Sequence, residues 1–318
     1  MDLVEINNLA TYYSTESGEA KAVDGVSLGI RRNETLGLVG ESGCGKSTLA
    51  LSILKLVPPG TKIAGNVFYQ GKDLVQMNDS ELSGIRWKKI SLVHQGALNA
   101  FNPLQRCKDQ VAEAILIHEN SSKSEAHARA TELLRMVGID SQSVDKYPHE
   151  LSGGMKQRAM IAMSIACNPE LVIADEPTTA LDVIMQDQVL SIIQNLQRRL
   201  GLSVLFVSHS LMTVGDICNR IAVMYAGKLV EVADAPSVFK HPCHPYTQGL
   251  IVSNPRMRMS RDEKFEWSSI PGDPPSLIRP PTGCRFHVRC PYCRDVCMRE
   301  EPRMREIENG HYVACHIV

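Results

Sequence analysis

Apolar positions along this chain follow two spacings, and each spacing predicts a different element. The short runs 35–39 (TLGLV) and 171–174 (LVIA) are apolar without alternation, which is typical of parallel strands buried on both faces. Residues 183–200 have apolar positions at helical spacing, with two arginines in the last turn and Gly201 directly after it. The mixture predicts an α/β fold with a core of parallel strands.

The regions around these elements have their own patterns. Residues 1–75 hold several strand-like runs around a glycine-rich loop, and they predict an antiparallel sheet, or flap, beside the main one. Residues from about 100 to 166 have a helical pattern and predict a helical subdomain. Within it, one helix is expected to begin with Ser124 as its cap and to end at Gly138.

The last third of the chain contains two strand runs followed by a proline-rich segment. Two apolar strand runs flank Ala226 and Gly227 and predict a hairpin. Further on, the proline-rich segment PGDPPSLIRPPTGC is incompatible with a helix and predicts an extended strap. We therefore expect one domain over residues 1–254 and a C-terminal extension over residues 255–318.

The glycine-rich loop, GESGCGKST, lies between a predicted strand and a predicted helix. Its glycines allow successive backbone N–H groups to face a phosphate, which would then sit on a helix N-terminus. Lys46 is placed to reach the β and γ phosphates of a nucleotide, and Ser47 to bind Mg²⁺. A chance glycine turn is the alternative, which the flanking strand and helix disfavour. The loop residues expected to contact ATP are Gly40, Ser42, Gly43, Cys44, Gly45, Lys46, Ser47 and Thr48.

Two adjacent carboxylates follow the buried run at 171–174. Open α/β sheets bind their ligands at the carboxyl ends of their strands, where Asp175 and Glu176 are expected. Asp175 is predicted to hold Mg²⁺, and Glu176 to orient and deprotonate the water that attacks the γ-phosphate. The alternative is a pair of surface acids at a strand end, which would not usually follow a phosphate loop.

Bulk composition limits the possible functions. The chain has 318 residues and a net charge of −1, so it has no electrostatic drive toward nucleic acid. No apolar run approaches the ~20 residues of a membrane span, and the N-terminus does not resemble a signal peptide. We expect a cytoplasmic location, with any membrane contact made through a partner.

A third motif, LSGGMKQR at 151–158, resembles the signature sequence of ABC ATPases, whose nucleotide-binding subunits work in pairs. Ser152 is also expected to cap the helix that follows. The resemblance implies an ABC-type nucleotide-binding domain with a mixed sheet, an antiparallel flap and a helical subdomain. It also implies that Ser152, Gly153 and Gly154 contact ATP held by the phosphate loop of a second, head-to-tail subunit.

Other residues are assigned through the same resemblance. Tyr13 matches the aromatic residue that stacks on adenine, with Tyr12 and a structural tyrosine as alternatives. Gln95 matches the glutamine that senses Mg²⁺ and the γ-phosphate and links to the membrane partner. His209 matches a catalytic histidine that contacts the γ-phosphate, although Ser210 stands where the family commonly has aspartate. Asp182 is expected to contact the opposite subunit. The implied catalytic residues are Glu176, His209 and Lys46, and the implied Mg²⁺ ligands are Ser47, Gln95 and Asp175.

Cysteines are unevenly distributed: five of the ten lie in the last 35 residues. A nucleotide-dependent protein of the reducing cytosol has little use for disulfides, so clustered thiols suggest a metal. The spacing C-x5-C-x2-C-x3-C lacks the paired C-x2-C knuckles of zinc ribbons, and by itself leaves zinc and an iron–sulfur cluster open. Five metal-free thiols are the structural alternative.

The tail resembles the C-terminal region of ATPases in the oligopeptide/dipeptide/nickel importer family, as do GALNAFNP (96–103) and HPYTQGL (244–250). This resemblance implies a [4Fe-4S] cluster bound by Cys284, Cys290, Cys297 and Cys315. Cys293 is then the surplus thiol, or replaces Cys315 in the alternative set. His287 and His316 become candidates if the metal is Zn²⁺.

The function implied is ATP hydrolysis that powers import of peptides or a related solute. The implied partners are a second, related ABC ATPase subunit, two transmembrane permease subunits and an extracytoplasmic substrate-binding protein. The complex would lie at the cytoplasmic face of the membrane. Nickel or oligosaccharides are alternative cargoes, because the substrate is selected by other chains.

Three other classes of ATPase share parts of this pattern. DNA-repair and chromosome-organising ATPases separate the phosphate loop from the signature by hundreds of coiled-coil residues, whereas the gap here is about a hundred residues. Translation-associated ABC proteins have two cassettes per chain, and this chain has one. An iron–sulfur assembly ATPase is the more serious alternative because of the cysteines, although those chains lack this extension. Co-purification with membrane subunits, as opposed to assembly scaffolds, distinguishes the two.

Overall fold

A computed structural model of the protein describes residues 2–94, 96, 100–253 and 269–318. The chain forms two compact units, each assembled from separate stretches of sequence. The first unit contains the phosphate loop and the C-terminal extension, and it comprises Met1–Arg31, Thr35–Gln76 and Ser208–Val318. The second unit contains the signature motif and comprises Arg32–Glu34 and Met77–Val207.

Strands and helices of both units are numbered in chain order. The strands are β1 (Asp2–Thr15), β2 (Gly18–Arg31), β3 (Thr35–Val39), β4 (Lys62–Tyr69), β5 (Lys72–Asp73), β6 (Ile90–Val93), β7 (Leu171–Asp175), β8 (Ser203–Ser208), β9 (Arg220–Tyr225), β10 (Lys228–Asp234), β11 (Arg305–Glu308) and β12 (His311–Val313). The helices are α1 (Lys46–Ile53), α2 (Asp79–Ser83), α3 (Cys107–His118), α4 (Lys123–Met136), α5 (Gly153–Ser164), α6 (Val183–Leu200), α7 (Leu211–Ile217), α8 (Ala235–Lys240), α9 (Pro245–Val252) and α10 (Asp295–Arg299).

The first unit contains the antiparallel sheet that the sequence predicts, in the order β2-β1-β4-β5. A second group of strands runs β11-β12-β10-β9-β3. Within it β3 pairs in parallel with β9, and β9 and β10 form the predicted hairpin about Ala226 and Gly227. All five residues of β3 are buried, which explains its lack of polar alternation.

The second unit has a parallel arrangement of β6, β7 and β8, with β7 paired to both neighbours. Every residue of β7 and β8 is buried. Helices α3, α4 and α5 occupy much of the region for which a helical pattern is predicted. The α/β fold and the parallel core predicted from the apolar runs are therefore confirmed.

The observed ends of α6 agree with the predicted ones, whereas the N-cap of α4 does not. Helix α6 has the predicted bounds: the side chain of Asp182 caps its start, and Gly201 ends it with φ of 63°. The predicted cap of α4 is wrong, because its N-cap is Ser122 and not Ser124. Ser122 and Glu125 form a reciprocal capping box in which each side chain accepts the other's backbone N–H, and this arrangement favours the earlier serine.

The described part of the extension is mostly irregular before β11. Its last strand, β12, pairs with β10 of the β9–β10 hairpin. The junction is held by Glu231, which is fully buried and accepts hydrogen bonds from His311 Nε2 and from the backbone N–H groups of Cys243 and His244. Burial lowers the pKa of His244 to about 4, so this ring is neutral and its Nδ1 accepts the Tyr246 N–H at the start of α9. These contacts tie the extension to the hairpin.

None of the described helices combines the length and apolarity that a membrane span requires.

Candidate functional site

The phosphate loop begins at the end of β3 and leads into α1. Gly45 has φ of 106°, and a Cβ at this position would lie 1.9 Å from the Ala22 carbonyl oxygen, so no other residue fits. Lys46 is 4% exposed, and its ammonium donates to the carbonyl oxygens of Gly40 and Glu41 at 2.9 and 3.0 Å. The loop thus holds its lysine close to its own backbone, and the α1 N-terminus follows directly.

Cys44 is a structural residue of the loop. Its side chain is buried, and burial raises the pKa of its thiol. Its carbonyl oxygen accepts the N–H of Gly227, which anchors the loop on the β9–β10 turn. Ser42 and Gly43, by contrast, are exposed at the open side of the loop.

The two candidate tyrosines on β1 have different partners. The Tyr13 hydroxyl donates to Thr48 Oγ1 at 3.2 Å, so this side chain lies against the last residue of the phosphate loop. The Tyr12 hydroxyl donates to Asp24 at 2.5 Å, and burial together with this bond raises the pKa of Tyr12 to about 12. Of the two tyrosines, Tyr13 is therefore the one that contacts the motif.

Asp175 and Glu176 lie where the buried run predicts them, at the carboxyl end of β7. Asp175 is 3% exposed. At Glu176 the chain turns out of the strand with φ of 46°, and its N–H donates to the Val207 carbonyl at 3.0 Å. The Glu176 carboxylate is part-exposed and accepts the Thr179 hydroxyl at 2.9 Å. Asp175 is thus the more buried of the two acids.

The signature helix α5 begins at an exposed N-cap. Ser152 Oγ accepts the Met155 N–H at 3.3 Å, as predicted. Gly154 is buried, and a Cβ there would lie 1.9 Å from Met185 Cε. The Met185 N–H in turn donates to Asp182 at 2.9 Å, so the N-termini of α5 and α6 are packed together. The structure therefore brings Ser152, Gly153 and Gly154 close to Asp182 through Met185.

His209 and Gln95 complete the predicted set. His209 is exposed and follows β8. Ser210, which replaces the family aspartate, is the N-cap of α7 and accepts the Thr213 N–H at 3.3 Å, so the substitution keeps a side-chain cap. Gln95 lies outside the described residues.

Burial and neighbouring thiols shift the pKa values of two C-terminal cysteines. Burial, with the Cys315, Cys297 and Cys290 thiols nearby, raises the pKa of Cys284 to about 12. Burial likewise raises the pKa of Cys290 to about 11, and the nearby thiols of Cys315, Cys297 and Cys293 add to it. The Cys315 sulfur accepts the Ile317 N–H at 3.5 Å. Cys293 differs because it is exposed and its thiol donates to the Arg294 carbonyl.

The two candidate zinc-binding histidines already have backbone partners. His287 Nδ1 lies 2.9 Å from the Cys284 carbonyl oxygen, and His316 Nε2 lies 2.9 Å from that of Glu300. Each of these contacts uses one ring nitrogen and leaves the other available. Cys284, Cys290, Cys297 and Cys315 are partly or fully buried, whereas Cys293 is exposed.

Sequence reasoning missed one contact of the phosphate loop. Arg289, in the short 3-10 turn His287–Arg289, forms two hydrogen bonds to the carboxylate of Glu41, the second residue of the loop. The two residues are 248 positions apart, so no local pattern could reveal the pair. The available signal was the glutamate itself, a charged residue at a loop position where phosphate binding requires only backbone.

Comparisons with known proteins agree with this geometry. Residues 23–179 match the ABC transporter family, and residues 230–297 match the C-terminal region of oligopeptide/dipeptide transporters. The oligopeptide transport ATP-binding protein OppD of Bacillus subtilis is 42% identical over 98% of this chain and 87% of its own length. The dipeptide transport ATP-binding protein DppD of Caldanaerobacter subterraneus is 40% identical over 99% of this chain and 97% of its own length.

A solved structure is also similar. It is a dimeric, post-hydrolysis state of the ATP-binding cassette MJ0796 bound to ADP and Pi, with a TM-score of 0.66 and 29% sequence identity. The alignment covers 73% of this chain and 98% of that one. The resemblance found in the three motifs and in the cysteine-rich tail is therefore confirmed. The chain belongs to the ATP-binding subunits of ABC transporters, in the group that carries the oligopeptide/dipeptide C-terminal region.

Proposed function

We propose that this chain is the ATP-hydrolysing subunit of an ABC importer that drives uptake of dipeptides or oligopeptides through separate membrane subunits. The observation that carries the proposal is the extent of its similarity to OppD and DppD, which are named for oligopeptide and dipeptide transport. That similarity spans 98–99% of the chain and so includes the extension as well as the ATP site.

In the proposed ATP site, each side chain has a separate role. Tyr13 stacks on adenine, and the Gly40–Thr48 loop wraps the phosphates with Lys46 on the β and γ positions. Ser47, Asp175 and Gln95 supply the oxygens that hold Mg²⁺, which neutralises charge on the phosphates. Glu176 accepts a proton from the attacking water, and His209 contacts the γ-phosphate.

The exposed start of α5 is proposed to bind the γ-phosphate of ATP held in the partner subunit. It offers Ser152 and the backbone of Gly153 and Gly154 to an anion, and the helix dipole favours negative charge there. Asp182, packed beside it through Met185, is placed to contact the same partner. The pair closes on ATP and opens after hydrolysis, which is how the energy reaches the membrane subunits.

The proposed assembly is peripheral to the membrane at its cytoplasmic face. It consists of this chain, a related ABC ATPase, two permease subunits and an extracytoplasmic binding protein that selects the cargo. We expect this chain, co-expressed with the other subunits of its transporter, to restore growth of a strain that lacks its own peptide importers. The growth medium supplies a required amino acid only as a dipeptide or oligopeptide. The matched negative control is the same assembly carrying Glu176→Gln. Peptide import would be contradicted if the Glu176→Gln assembly supported the same growth on peptides. It would also be contradicted if the assembly restored growth only when nickel or an oligosaccharide was supplied.

We also propose that the tail holds a [4Fe-4S] cluster on Cys284, Cys290, Cys297 and Cys315. The donor types fit, because Cys284, Cys290, Cys297 and Cys315 are partly or fully buried free thiols, and the Cys315 sulfur accepts the Ile317 N–H, as a sulfur bound to iron often does. The exposed position of Cys293 supports its exclusion. A cluster there would fasten the irregular extension.

Single serine substitutions test the ligand set. Protein purified without oxygen is expected to contain about four iron atoms per chain with matching sulfide, as a [4Fe-4S] cluster on four cysteine ligands requires. Cys290→Ser and Cys315→Ser should lose most of the iron and the visible absorption, whereas Cys293→Ser, the matched control, should keep both. Zinc in place of iron, or loss of iron in Cys293→Ser with retention in Cys315→Ser, would overturn the assignment.

A further inference from the structure

We propose that Arg289 is a positioning residue of the phosphate loop, and that through it ATP binding depends on the ordered cysteine-rich extension. Arg289 does not reach the nucleotide site itself. It acts on Glu41, and the structure gives four observations that support this role.

The first observation is the geometry of the pair. Arg289 Nη1 and Nη2 donate to the two carboxylate oxygens of Glu41 at 2.6 and 3.0 Å, which is the paired geometry of a strong guanidinium–carboxylate contact. The Arg289 side chain is 5% exposed and that of Glu41 25%. Solvent therefore screens this ion pair far less than a surface one, and removing either partner leaves a sheltered charge uncompensated.

The second observation is that Glu41 is held on every side. Its N–H donates to the Tyr246 hydroxyl at 2.8 Å, and its carbonyl oxygen accepts the ammonium of Lys46 at 3.0 Å. With Arg289 on its carboxylate, all of its polar groups are engaged. Glu41 follows Gly40, where the loop leaves β3, so its position sets the start of the phosphate cradle.

The third observation is that Arg289 is itself fully anchored. Its Nε donates to the Pro271 carbonyl at 2.7 Å, and Nη2 also donates to the Gly272 carbonyl at 2.9 Å. Nη1 donates further to the Tyr225 hydroxyl at 3.3 Å, and the guanidinium lies 5.7 Å from that ring. Five hydrogen bonds thus use the five donors of the guanidinium. A side chain placed only for solubility would not be engaged in this way.

The fourth observation is a second link on the same short segment. Arg285 is paired with Asp24 and with the Ala226 carbonyl oxygen, and the neighbouring Gly227 N–H donates to the Cys44 carbonyl at 2.8 Å. Phe286 packs against Tyr225 and Tyr246 with ring centroids 5.2 and 5.4 Å apart. Residues 284–290 therefore contact the loop directly at Glu41 and, through the β9–β10 turn, indirectly at Cys44. Cys284 and Cys290, the first two proposed cluster ligands, bound this segment.

The physical consequence is pre-organisation. A loop in which Glu41 is already fixed loses less conformational freedom when phosphate binds, so its affinity is higher than that of a loop that must order. Chemistry at the γ-phosphate uses other groups and should be little affected once ATP is bound. Loss of Arg289 should thus appear in the KM and the Kd for ATP, not in kcat.

The test uses the full-length chain and MgATP. We expect Arg289→Met to raise the Kd and KM for ATP about tenfold, the scale of one charge-assisted hydrogen bond, with kcat within about twofold of the original. Arg289→Lys should recover part of the affinity because one cationic donor remains. Arg299→Met, an exposed arginine of the same extension, is the matched control and should change neither constant.

A double-mutant cycle separates positioning from general destabilisation. Glu41→Gln alone should weaken ATP binding, and Glu41→Gln with Arg289→Met should be no weaker than the worse single variant, because both remove one interaction. Additive losses, an unchanged Kd in Arg289→Met, or a fall in kcat without a rise in KM would each overturn the proposal. If Arg289→Met does not fold, Glu41→Gln with Arg289→Lys provides the same cycle.

Discussion

Replacing Glu176 by glutamine is expected to lower the steady-state rate of ATP hydrolysis about 10²–10⁴-fold, the usual range for loss of a general base. Glutamine keeps the size of the side chain and can still accept the Thr179 hydroxyl, but it cannot take a proton from water. The Kd for ATP should remain the same, because none of the proposed phosphate contacts comes from Glu176. Equilibrium nucleotide titration and phosphate release measure the two quantities.

A second acid of the same unit provides the control for this change. Asp187 is exposed on α6, and Asp187→Asn removes a charge without touching β7. Its turnover should stay within about twofold of the original, since exposed substitutions rarely have large effects. Hydrolysis that survived Glu176→Gln at the original rate would show that another residue activates the water.

Replacing Lys46 by alanine is expected to weaken ATP binding by roughly 100-fold or more, because charge-assisted contacts to two phosphates are lost. The substitution also removes the ammonium from the Gly40 and Glu41 carbonyl oxygens, so the loop loses an internal restraint. In a nucleotide titration, Lys46→Ala should bind little ATP over the concentration range in which the original protein saturates.

The matched control for Lys46→Ala is Lys72→Ala, an exposed lysine of the same unit on β5. It removes the same charge away from the phosphate loop and should leave the Kd for ATP unchanged. Nucleotide titration of both variants distinguishes a specific loss from a general effect of lower positive charge. Saturation of Lys46→Ala at the original ATP concentration would refute the assignment of the loop.

Much of the fold could be predicted because its signals are local. The buried strand β7, the hairpin at Ala226 and Gly227, and both ends of α6 each follow from a few neighbouring residues. The cap of α4 was mispredicted for a local reason too, since several serines lie close together and only one has a glutamate three positions later.

Contacts between distant residues could not be predicted in this way. Glu231 is a buried carboxylate that interrupts an otherwise apolar strand, and its partner His311 lies 80 positions further on. The sequence separation between Arg289 and Glu41 is larger still, at 248 positions. Each joins the extension to the rest of its unit, so the sequence indicated that a tail exists but not what the tail contacts.

The central claim is that ATP is held between the phosphate loop of one subunit and the Ser152 end of α5 in another. Its most direct test places a photoreactive amino acid at position 152 in an assembled transporter whose ATPase subunits carry Glu176→Gln or its equivalent. With MgATP, illumination should crosslink position 152 to the phosphate loop of the opposite subunit, as identified by mass spectrometry, and should not do so without nucleotide. Absence of that crosslink in the ATP-trapped complex, or the same yield without ATP, would contradict the account.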